Sequence, residues 1–220
     1  MKTAQRILYT ALSLFNEQGE SNVTSVDIAM EMDISPGNLY YHYKGKEVMV
    51  DALASLHKKE MLTLLSRSIV QKIRADDLFY YLHMVVEKLH LFKFLYRSPT
   101  DLTEKYPQSS KIMKQVTQAL EGQLKALFEH LESQGDLVAS PAEKTLLKEL
   151  TALVLTQSAH YDQRMAAMDE EGQRYHALSL IMVSLMPRLT LSQRTLAAIS
   201  QAIHSHSLAN TGLLSEFESV

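Results

Sequence analysis

The stretch from residue 24 to residue 46 constrains the fold of this 220-residue chain more than any other. Its first part predicts a short helix, because Thr24 can cap the helix N-terminus and Asp27, three residues later, can complete a capping box. Ser35 can cap a second helix, with Pro36 at its first helical position. The sequence therefore predicts two short helices joined by a tight turn.

The second of these helices is predicted from Pro36 to about His42 and carries one strongly apolar side chain, Leu39. Core packing explains such a helix poorly, because one leucine anchors it while the other side chains can hydrogen-bond or stack. The pattern is typical of the recognition helix of a helix-turn-helix, whose N-terminal residues meet base edges in the major groove of DNA. The polar and aromatic side chains are Asn38, Tyr40, Tyr41, His42 and Tyr43, and Lys44 and Lys46 follow.

The spacing of these residues resembles the DNA-binding signature of TetR-family transcriptional regulators. One position departs from the family pattern, since Asp33 stands in the turn where the family usually has glycine. Aspartate tolerates a positive φ better than most residues, so the turn is expected to form. The matching positions are Thr24, Ile28-Ala29, Ser35-Pro36-Gly37, Leu39-Tyr40-Tyr41-His42-Tyr43 and Lys46.

The resemblance implies a DNA-binding role for this stretch. Side-chain chemistry suggests which residues contact bases and which contact phosphates. Asn38 can pair with an adenine edge, Tyr41 can contact a thymine methyl, and Gly37 after Pro36 permits close backbone approach. In TetR-like chains the position of His42 often helps to hold the recognition helix. Phosphate contacts are expected from Thr24, Ser25, Ser35, Tyr40 and Lys46.

Composition and patterning predict an all-α protein. Glycine and proline are scarce, helix formers are common, and neither persistent alternation nor an Asn-Gly or Asp-Gly turn signals a hairpin. Beyond a first helix at 2–18, helices are predicted at 46–67, 76–96, about 109–134, 141–168, about 170–186 and 192–207, with a loop around Pro99 and Pro107 that holds one short turn at 101–105.

Three parts are expected along the chain. Residues 1–46 are predicted to form a three-helix helix-turn-helix domain, and residues 209–220 a frayed tail. The resemblance implies that residues 47–208 form a larger helical domain for effector binding and dimerisation. It also implies that the helix at 46–67 transmits effector binding to the DNA-binding domain.

Charge argues against an ordinary nucleic-acid binder, because the net charge is −3. Residues 1–50 contain four basic residues and six acidic ones. The basic residues are Lys2, Arg6, Lys44 and Lys46. We therefore expect modest nonspecific DNA affinity, with specificity resting on dimerisation and shape.

An adaptable apolar pocket with a few polar anchors is predicted in the larger domain, because its helices are rich in Met, Tyr and His. For any single residue, ordinary core packing is the simpler interpretation. As a set they suggest a small, mostly hydrophobic effector, bound by Tyr80, His83, Met84, Phe92, Met113, Phe128, His160 and Tyr161.

A homodimer is expected, because two recognition helices about one DNA turn apart require a two-fold axis. The helices at 143–167 and 171–186 carry small and branched residues suited to close helix packing. The resemblance implies that they join two copies as a four-helix bundle.

No motif of an enzyme, cofactor site or metal site stands out. The Glu87–His90 spacing matches half of a di-iron motif, but only one copy is present. Cysteine is absent, which fits a reducing cytoplasm, and no apolar run is long enough to span a bilayer. Together with the family resemblance, this leads us to expect a cytoplasmic, non-enzymatic repressor that a small effector releases from a palindromic operator. The opposite sense, in which the effector acts as a co-repressor, stays open. Two alternatives remain: a small-molecule-binding helical protein with vestigial DNA binding, and a di-metal helical oxidase.

Overall fold

The computed structural model describes residues 2–161 and 170–209, apart from the side chains of residues 159, 161, 170, 171 and 204–209. The predicted all-α class is confirmed, and the β pairing within these residues is one isolated bridge between Leu137 and Leu189. Twelve α-helices follow one another in the described residues, at Thr3–Gln18 (α1), Ser25–Glu31 (α2), Pro36–His42 (α3), Lys46–Leu64 (α4), Arg67–Val70 (α5), Leu78–Leu91 (α6), Phe94–Arg97 (α7), Pro99–Lys105 (α8), Pro107–Ser133 (α9), Pro141–Tyr161 (α10), Glu170–Leu185 (α11) and Gln193–Ala209 (α12).

The chain divides into two compact units, each made of two segments. The first unit joins the residues up to Met61 with Leu91–Val116, and the second joins Leu62–His90 with the residues from Thr117 onward. The first unit therefore contains α1, α2, α3 and most of α4, together with α7, α8 and the start of α9. The predicted functional domains, with a boundary after residue 46, stay a prediction.

Local capping sets the geometry of α2 and α3. The hydroxyl of Thr24 accepts a hydrogen bond from the Asp27 amide at 3.2 Å, and the Asp27 carboxylate accepts one from the Thr24 amide at 2.7 Å. These bonds from Thr24 hold the pKa of Asp27 below its usual value. The turn after α2 needs one residue at positive φ, and Asp33 provides it with φ 54°. Both expectations from the sequence are confirmed.

Asn16, near the end of α1, fastens the segment 91–116 to the rest of the first unit. Its side-chain amide donates to the carbonyl of Leu91 at 2.9 Å and accepts from the amide of Phe94 at 3.1 Å. The side chain of Arg97 also donates to the backbone carbonyl of Asn16. The ring of Phe94 packs on Phe15 at a centroid distance of 5.3 Å. Polar and apolar contacts together hold this segment against α1.

A buried hydrogen bond joins α4 to the same segment. Nε2 of His57 lies 2.6 Å from the hydroxyl of Tyr96, and the Phe92 ring packs on the imidazole at 4.8 Å. Burial lowers the pKa of His57 to about 3, so the ring is neutral at physiological pH. Burial also raises the pKa of Tyr96, which keeps its hydroxyl protonated. His57 and Tyr96 therefore form a hydrogen bond between two uncharged side chains within the core.

The second unit is built on α10, α11 and α12, since α11 packs against both of its neighbours. Its core includes Leu178 and Ile181 from α11, both fully buried. Asp136 links the loop after α9 to the residues before α6, because its carboxylate accepts from Arg74 Nε at 2.6 Å and from the Ala75 amide at 3.0 Å. This buried carboxylate is thus satisfied by charged and backbone donors.

Three helix boundaries differ from the sequence prediction. The helix predicted at 46–67 ends at Leu64, and the one predicted at 76–96 is interrupted at Phe92 and Lys93. The loop around Pro99 and Pro107 was predicted to hold one short helical turn at 101–105, and the structure has helix α8 there. This helix begins two residues earlier, at Pro99, in the first helical turn that proline favours. The prediction to residue 168 for α10, and the predicted tail from residue 210, lie outside the described residues.

Replacing Glu143 by glutamine is expected to lower the Tm at neutral pH. The carboxylate accepts from the Ser140 amide at 2.9 Å and from Arg188 at 3.2 Å, which completes the start of α10. The Ser140 bonds and Arg188 lower the pKa of Glu143 to about 2. Because this pKa is depressed, the stabilisation is present above the unfolded pKa and is lost as pH falls towards 2. Thermal melts from pH 7 to pH 3 should show the difference from wild type shrinking; a constant difference would contradict this.

Candidate nucleic-acid interface

Helix α3, predicted from the sequence to be the recognition helix, is held by a single fully buried side chain and presents most of the others outward. Leu39 is fully buried, whereas Tyr40 is 44% exposed and Tyr41 is 76% exposed. His42 is half-buried and meets the Tyr41 ring edge-on at 5.1 Å. The other residues at the start of the helix, Ser35, Pro36, Gly37 and Asn38, are exposed.

Hydrogen-bonding capacity remains on this exposed surface. The Ser35 hydroxyl oxygen accepts from the Asn38 amide at 3.2 Å, which caps the helix and leaves the hydroxyl hydrogen for a phosphate oxygen. The side chains of Asn38, Tyr40 and Tyr41 are exposed and end in hydrogen-bonding groups. The structure therefore leaves the predicted residues Ser35, Pro36, Gly37, Asn38, Tyr40 and Tyr41 exposed, and their contact with DNA stays a prediction.

Tyr43 fixes the end of α3 against the start of α1. Its hydroxyl donates to the carbonyl of Ala4 at 3.2 Å. Burial raises the pKa of Tyr43, so the hydroxyl stays protonated and remains a donor. Ala4 lies between Lys2 and Arg6, both exposed. The bond therefore places two cations near the C-terminal end of α3.

Lys46, expected as a phosphate contact, is held inside the first unit. Its ammonium donates to the carbonyls of Glu20 and Val23, each at 3.0 Å, and pairs with the Glu20 carboxylate at 2.7 Å. The three N–H donors of the Lys46 ammonium are thus matched by three acceptor oxygens. Lys46 can contact a phosphate only by giving up one of these partners.

Thr24 and Ser25, the other early phosphate candidates, are similarly placed. The amide and the hydroxyl of Thr24 both donate to one carboxylate oxygen of Asp27, each at 2.7 Å. Ser25 is buried. The geometry therefore places these two residues at the capped start of α2, and it presents them less openly than Ser35.

Glu20 joins this region to the start of α9 and was not singled out by sequence. The hydroxyl of Tyr106 donates to its carboxylate, and Lys105 donates to the neighbouring Ser21 hydroxyl at 2.9 Å. Burial alone would raise the pKa of Glu20, but the hydrogen bonds from Lys46 and Tyr106 and the nearby lysine charges hold it below its usual value. No sequence signal connects residues so far apart in the chain.

Replacing Lys46 by methionine is expected to lower the free energy of unfolding by about 1–3 kcal/mol, because the partly buried Glu20 carboxylate loses a charged donor. The salt dependence of DNA binding should stay unchanged. The matched variant Lys44→Met removes an exposed lysine. It should leave stability within about 0.5 kcal/mol but lower the salt slope by about one for each protomer. Denaturant titrations and binding isotherms at several salt concentrations separate the two; equal behaviour would contradict the assignment.

The residues predicted to bind an effector are divided between the two units. In the second unit Tyr80 and Met84 are exposed on α6. His83 is half-buried, with its ring 5.5 Å from that of Tyr175. Glu87, one turn further along, pairs with Arg174 at 2.8 Å. Tyr80, His83 and Met84 therefore lie on one side of α6.

The remaining predicted effector residues occupy different surroundings. Phe92 and Met113 are buried in the first unit, where Phe92 packs on His57. In the second unit Phe128 is buried and lines a pocket, and His160 is exposed near the end of α10. The side chain of Tyr161 lies outside those described. A shared effector site for the full set stays a prediction.

The fold and this surface define a helix-turn-helix DNA-binding protein. Two family models match the chain: the N-terminal model of the bacterial regulatory proteins, TetR family, at residues 7–53, and the TetR model for bacterial transcriptional repressors at residues 56–196. Since the second covers more than half of the sequence, the chain belongs to the TetR family and is a DNA-binding transcriptional regulator. Members of this family act by binding DNA, and nothing in the chain gives positive support for catalysis.

Solved structures share the fold over nearly their whole length. A TetR-family regulator from Marinobacter aquaeolei VT8 is 25% identical, with a TM-score of 0.79 over 92% of this chain and 99% of its own. A tetR-family regulatory protein from Rhodococcus RHA1 is 22% identical, with a TM-score of 0.62 over 87% and 100%. A TetR regulator from Legionella pneumophila is 16% identical, with a TM-score of 0.63 over 84% and 98%. No curated protein matches the sequence.

Two further observations bear on the alternatives. Among the described helices, none is long and apolar enough to cross a membrane. The described residues contain no group of three His, Asp or Glu side chains that could hold a metal ion. The di-metal oxidase alternative therefore gains no support from the part of the chain that is described.

Proposed function

We propose that this regulator is a cytoplasmic homodimeric repressor that binds a palindromic operator and is released by a small, mostly hydrophobic effector. The observation that carries the DNA-binding part is the surface of α3. One buried leucine holds the helix, and its other side chains, from Ser35 to Tyr41, face outward. A helix of this kind contributes little to a core and matches the needs of major-groove recognition.

The roles on α3 follow from the chemistry of the exposed groups. Asn38 is the residue that pairs with an adenine edge, and the Tyr41 ring contacts a thymine methyl. The hydroxyls of Ser35 and Tyr40 donate to phosphates and fix the register of the helix on the duplex. His42, half-buried beside Tyr41, supports the recognition helix from within.

Dimerisation is supported by an exposed apolar face on α10 and α11. On α10, Leu146, Leu150 and Leu153 lie one helical turn apart along a single stripe and are 65%, 39% and 58% exposed. On α11, which packs against α10, Leu180 and Val183 are also exposed. Apolar groups clustered in this way mark an interaction surface.

A second copy of the chain is the occupant we propose for this face. The three leucines line a groove of about 540 Å³ on the second unit. A two-fold axis would set the same stripe from each copy against the other, which makes the contact self-complementary. With α10 and α11 from both copies, the interface becomes a four-helix bundle, and it gives the two recognition helices the symmetry of a palindromic operator.

Effector release is proposed to act through α4. This helix begins beside the recognition helix, in the first unit, and its last three residues belong to the second unit. It therefore continues along the chain from the DNA-binding helices into the unit that carries Tyr80, His83 and Met84. If effector and operator favour different conformations, each weakens the binding of the other by the same factor.

The test is a DNA-binding titration with the duplex that lies upstream of the protein's own gene. We expect a protected palindromic site and two protomers per duplex. The slope of log K against log salt should be shallow, because acidic residues outnumber basic ones by six to four in residues 1–50. A slope as steep as that of proteins with about ten phosphate contacts, or equal affinity for unrelated DNA, would refute specific operator binding of this kind.

A further inference from the structure

The first two turns of α1 carry an exposed basic face that the packing of this helix does not use. Lys2 is the N-cap of α1, Arg6 is four residues further on, and Tyr9 follows after three more, so the three side chains lie along one side of the helix. All three are exposed, Tyr9 by 59%. Within the described part of the chain neither Lys2 nor Arg6 makes an ion pair, so both charges are available to a partner.

These two cations stand where a helix does not favour them. The N-terminus of a helix carries a partial positive charge, which favours acidic side chains in the first turn and disfavours basic ones. The first turn of α1 has no acidic residue, and Lys2 and Arg6 stand at its two ends. Both side chains are exposed, so burial does not compensate for the unfavourable position. Residues that break a local rule without a compensating contact in the protein point to a function.

The hydrogen bond between Tyr43 and Ala4 sets this basic face beside the C-terminal end of α3. Tyr43 is the C-cap of α3, and its hydroxyl donates to the Ala4 carbonyl, two residues from Lys2 and two from Arg6, at 3.2 Å. Lys44, the next residue, is exposed and also makes no ion pair among the described residues. Three available cations from two parts of the sequence therefore lie near one hydrogen bond.

The acidic residues of the DNA-binding helices belong to other segments. Neither residues 1–16 nor residues 34–46, which contain the first turns of α1 and the whole of α3, include an acidic residue. Both segments that the Tyr43–Ala4 bond joins therefore carry only basic charges, although acidic residues are in excess over residues 1–50. The six acidic residues are Glu17, Glu20, Asp27, Glu31, Asp33 and Glu47.

We propose that Lys2, Arg6 and Tyr9 form a second DNA contact, which binds the phosphate backbone next to the base pairs that the C-terminal end of α3 faces. Lys2 and Arg6 supply cations for phosphate oxygens, and the Tyr9 hydroxyl supplies a neutral donor. The contact extends the DNA-binding surface beyond residues 24–46, to which the sequence signature is confined. It rests on the proposed role of α3 as the recognition helix, because that role brings the backbone within reach of α1.

The salt dependence of DNA binding by the full chain tests this contact, on the operator duplex and on an unrelated duplex of equal length. Phosphate contacts do not depend on base sequence, so both duplexes report them. Lys2→Gln and Arg6→Gln should each lower the slope of log K against log salt by about one for each protomer. Each should also weaken binding at low salt about fivefold for each protomer. Together with Lys44, a dimer then neutralises about six phosphates, which keeps the wild-type slope below that of proteins with about ten contacts.

Thermal stability and two further variants separate a DNA contact from other roles. The Tm of Lys2→Gln and Arg6→Gln should equal that of wild type or rise slightly, because the cations oppose the helix dipole. Tyr9→Phe should weaken binding without changing the slope, because the hydroxyl carries no charge. The matched control Lys111→Gln removes an exposed lysine of the same unit that lies on α9. It should leave the slope unchanged.

The outcomes for α1 and for the operator can be told apart. If the protein recognises its operator but Lys2→Gln and Arg6→Gln leave the slope unchanged, or if Lys111→Gln lowers it equally, the basic face of α1 is not a DNA contact. If wild type does not distinguish the operator from the unrelated duplex, yet both α1 variants lose slope on each, the contact is supported and the proposed operator specificity is wrong.

Discussion

Replacing Tyr40 by alanine is expected to reduce specific operator affinity on the order of 100-fold, because a hydrogen bond to a charged phosphate is worth about 1.5–3 kcal/mol and the proposed dimer would make it twice. Tyr40 lies on the exposed side of α3 and is 44% exposed, so the core does not need its ring. Helix content and Tm should therefore remain close to wild type. Fluorescence anisotropy with the operator duplex measures the loss, and circular dichroism measures the fold.

The matched control is Tyr80→Ala, which removes an exposed tyrosine, 62% exposed against 44% for Tyr40, from α6 in the second unit. In the absence of effector this variant should bind the operator as wild type does. The Tyr40→Phe variant separates the hydroxyl from the ring, and it should lose most of the affinity if the hydroxyl contacts a phosphate. Operator affinity unaffected by Tyr40→Ala would show that α3 is not the recognition helix.

The local part of this site could be predicted from sequence because its determinants lie within a few residues of one another. The capping box of Thr24 and Asp27, the Ser35 cap and the positive φ of Asp33 all form as predicted. Each depends on contacts between residues at most three apart. The outward surface of α3 followed from the same local pattern, because a short helix with one leucine can bury only one side.

Long-range partners could not be predicted in this way. Lys46 was expected to contact phosphate because it is a lysine just after the recognition helix, yet it is matched to Glu20 and two carbonyls. Tyr106, which shares the Glu20 carboxylate, lies 86 positions along the chain. Nothing in the periodicity of a helix specifies such a pairing, since periodicity identifies which side is buried but not what covers it.

The grouping of residues 91–116 with the DNA-binding helices was missed for the same reason. The sequence places this segment in the middle of the larger predicted domain. The structure fastens it to α1 through Asn16 and to α4 through the His57–Tyr96 bond. An asparagine near a helix end and a lone histidine are common on helices of any kind, so neither residue signals a tertiary contact by itself.

Replacing Leu153 by aspartate is expected to convert the dimer into monomers at micromolar concentration. The side chain is 58% exposed in the single chain and belongs to the apolar stripe of α10. Symmetry would bury two new carboxylates at the interface, and an uncompensated buried charge costs roughly 3–5 kcal/mol, so the dissociation constant should rise by more than about 100-fold. Sedimentation velocity over a range of protein concentrations measures the change.

The control for this variant is Leu62→Asp, which places the same charge on a comparably exposed leucine of α4, away from the stripe. It should remain dimeric. Leu153→Asp should keep its Tm at low protein concentration, because the substituted side chain is exposed within the protomer, but its operator affinity should fall to that of one half-site. If the Leu153→Asp protein still sediments as a dimer, the dimer interface does not include the apolar stripe of α10. A wild-type protein that is monomeric at micromolar concentration would remove the two-fold geometry on which palindrome recognition depends, because two recognition helices are set one DNA turn apart only by a dimer.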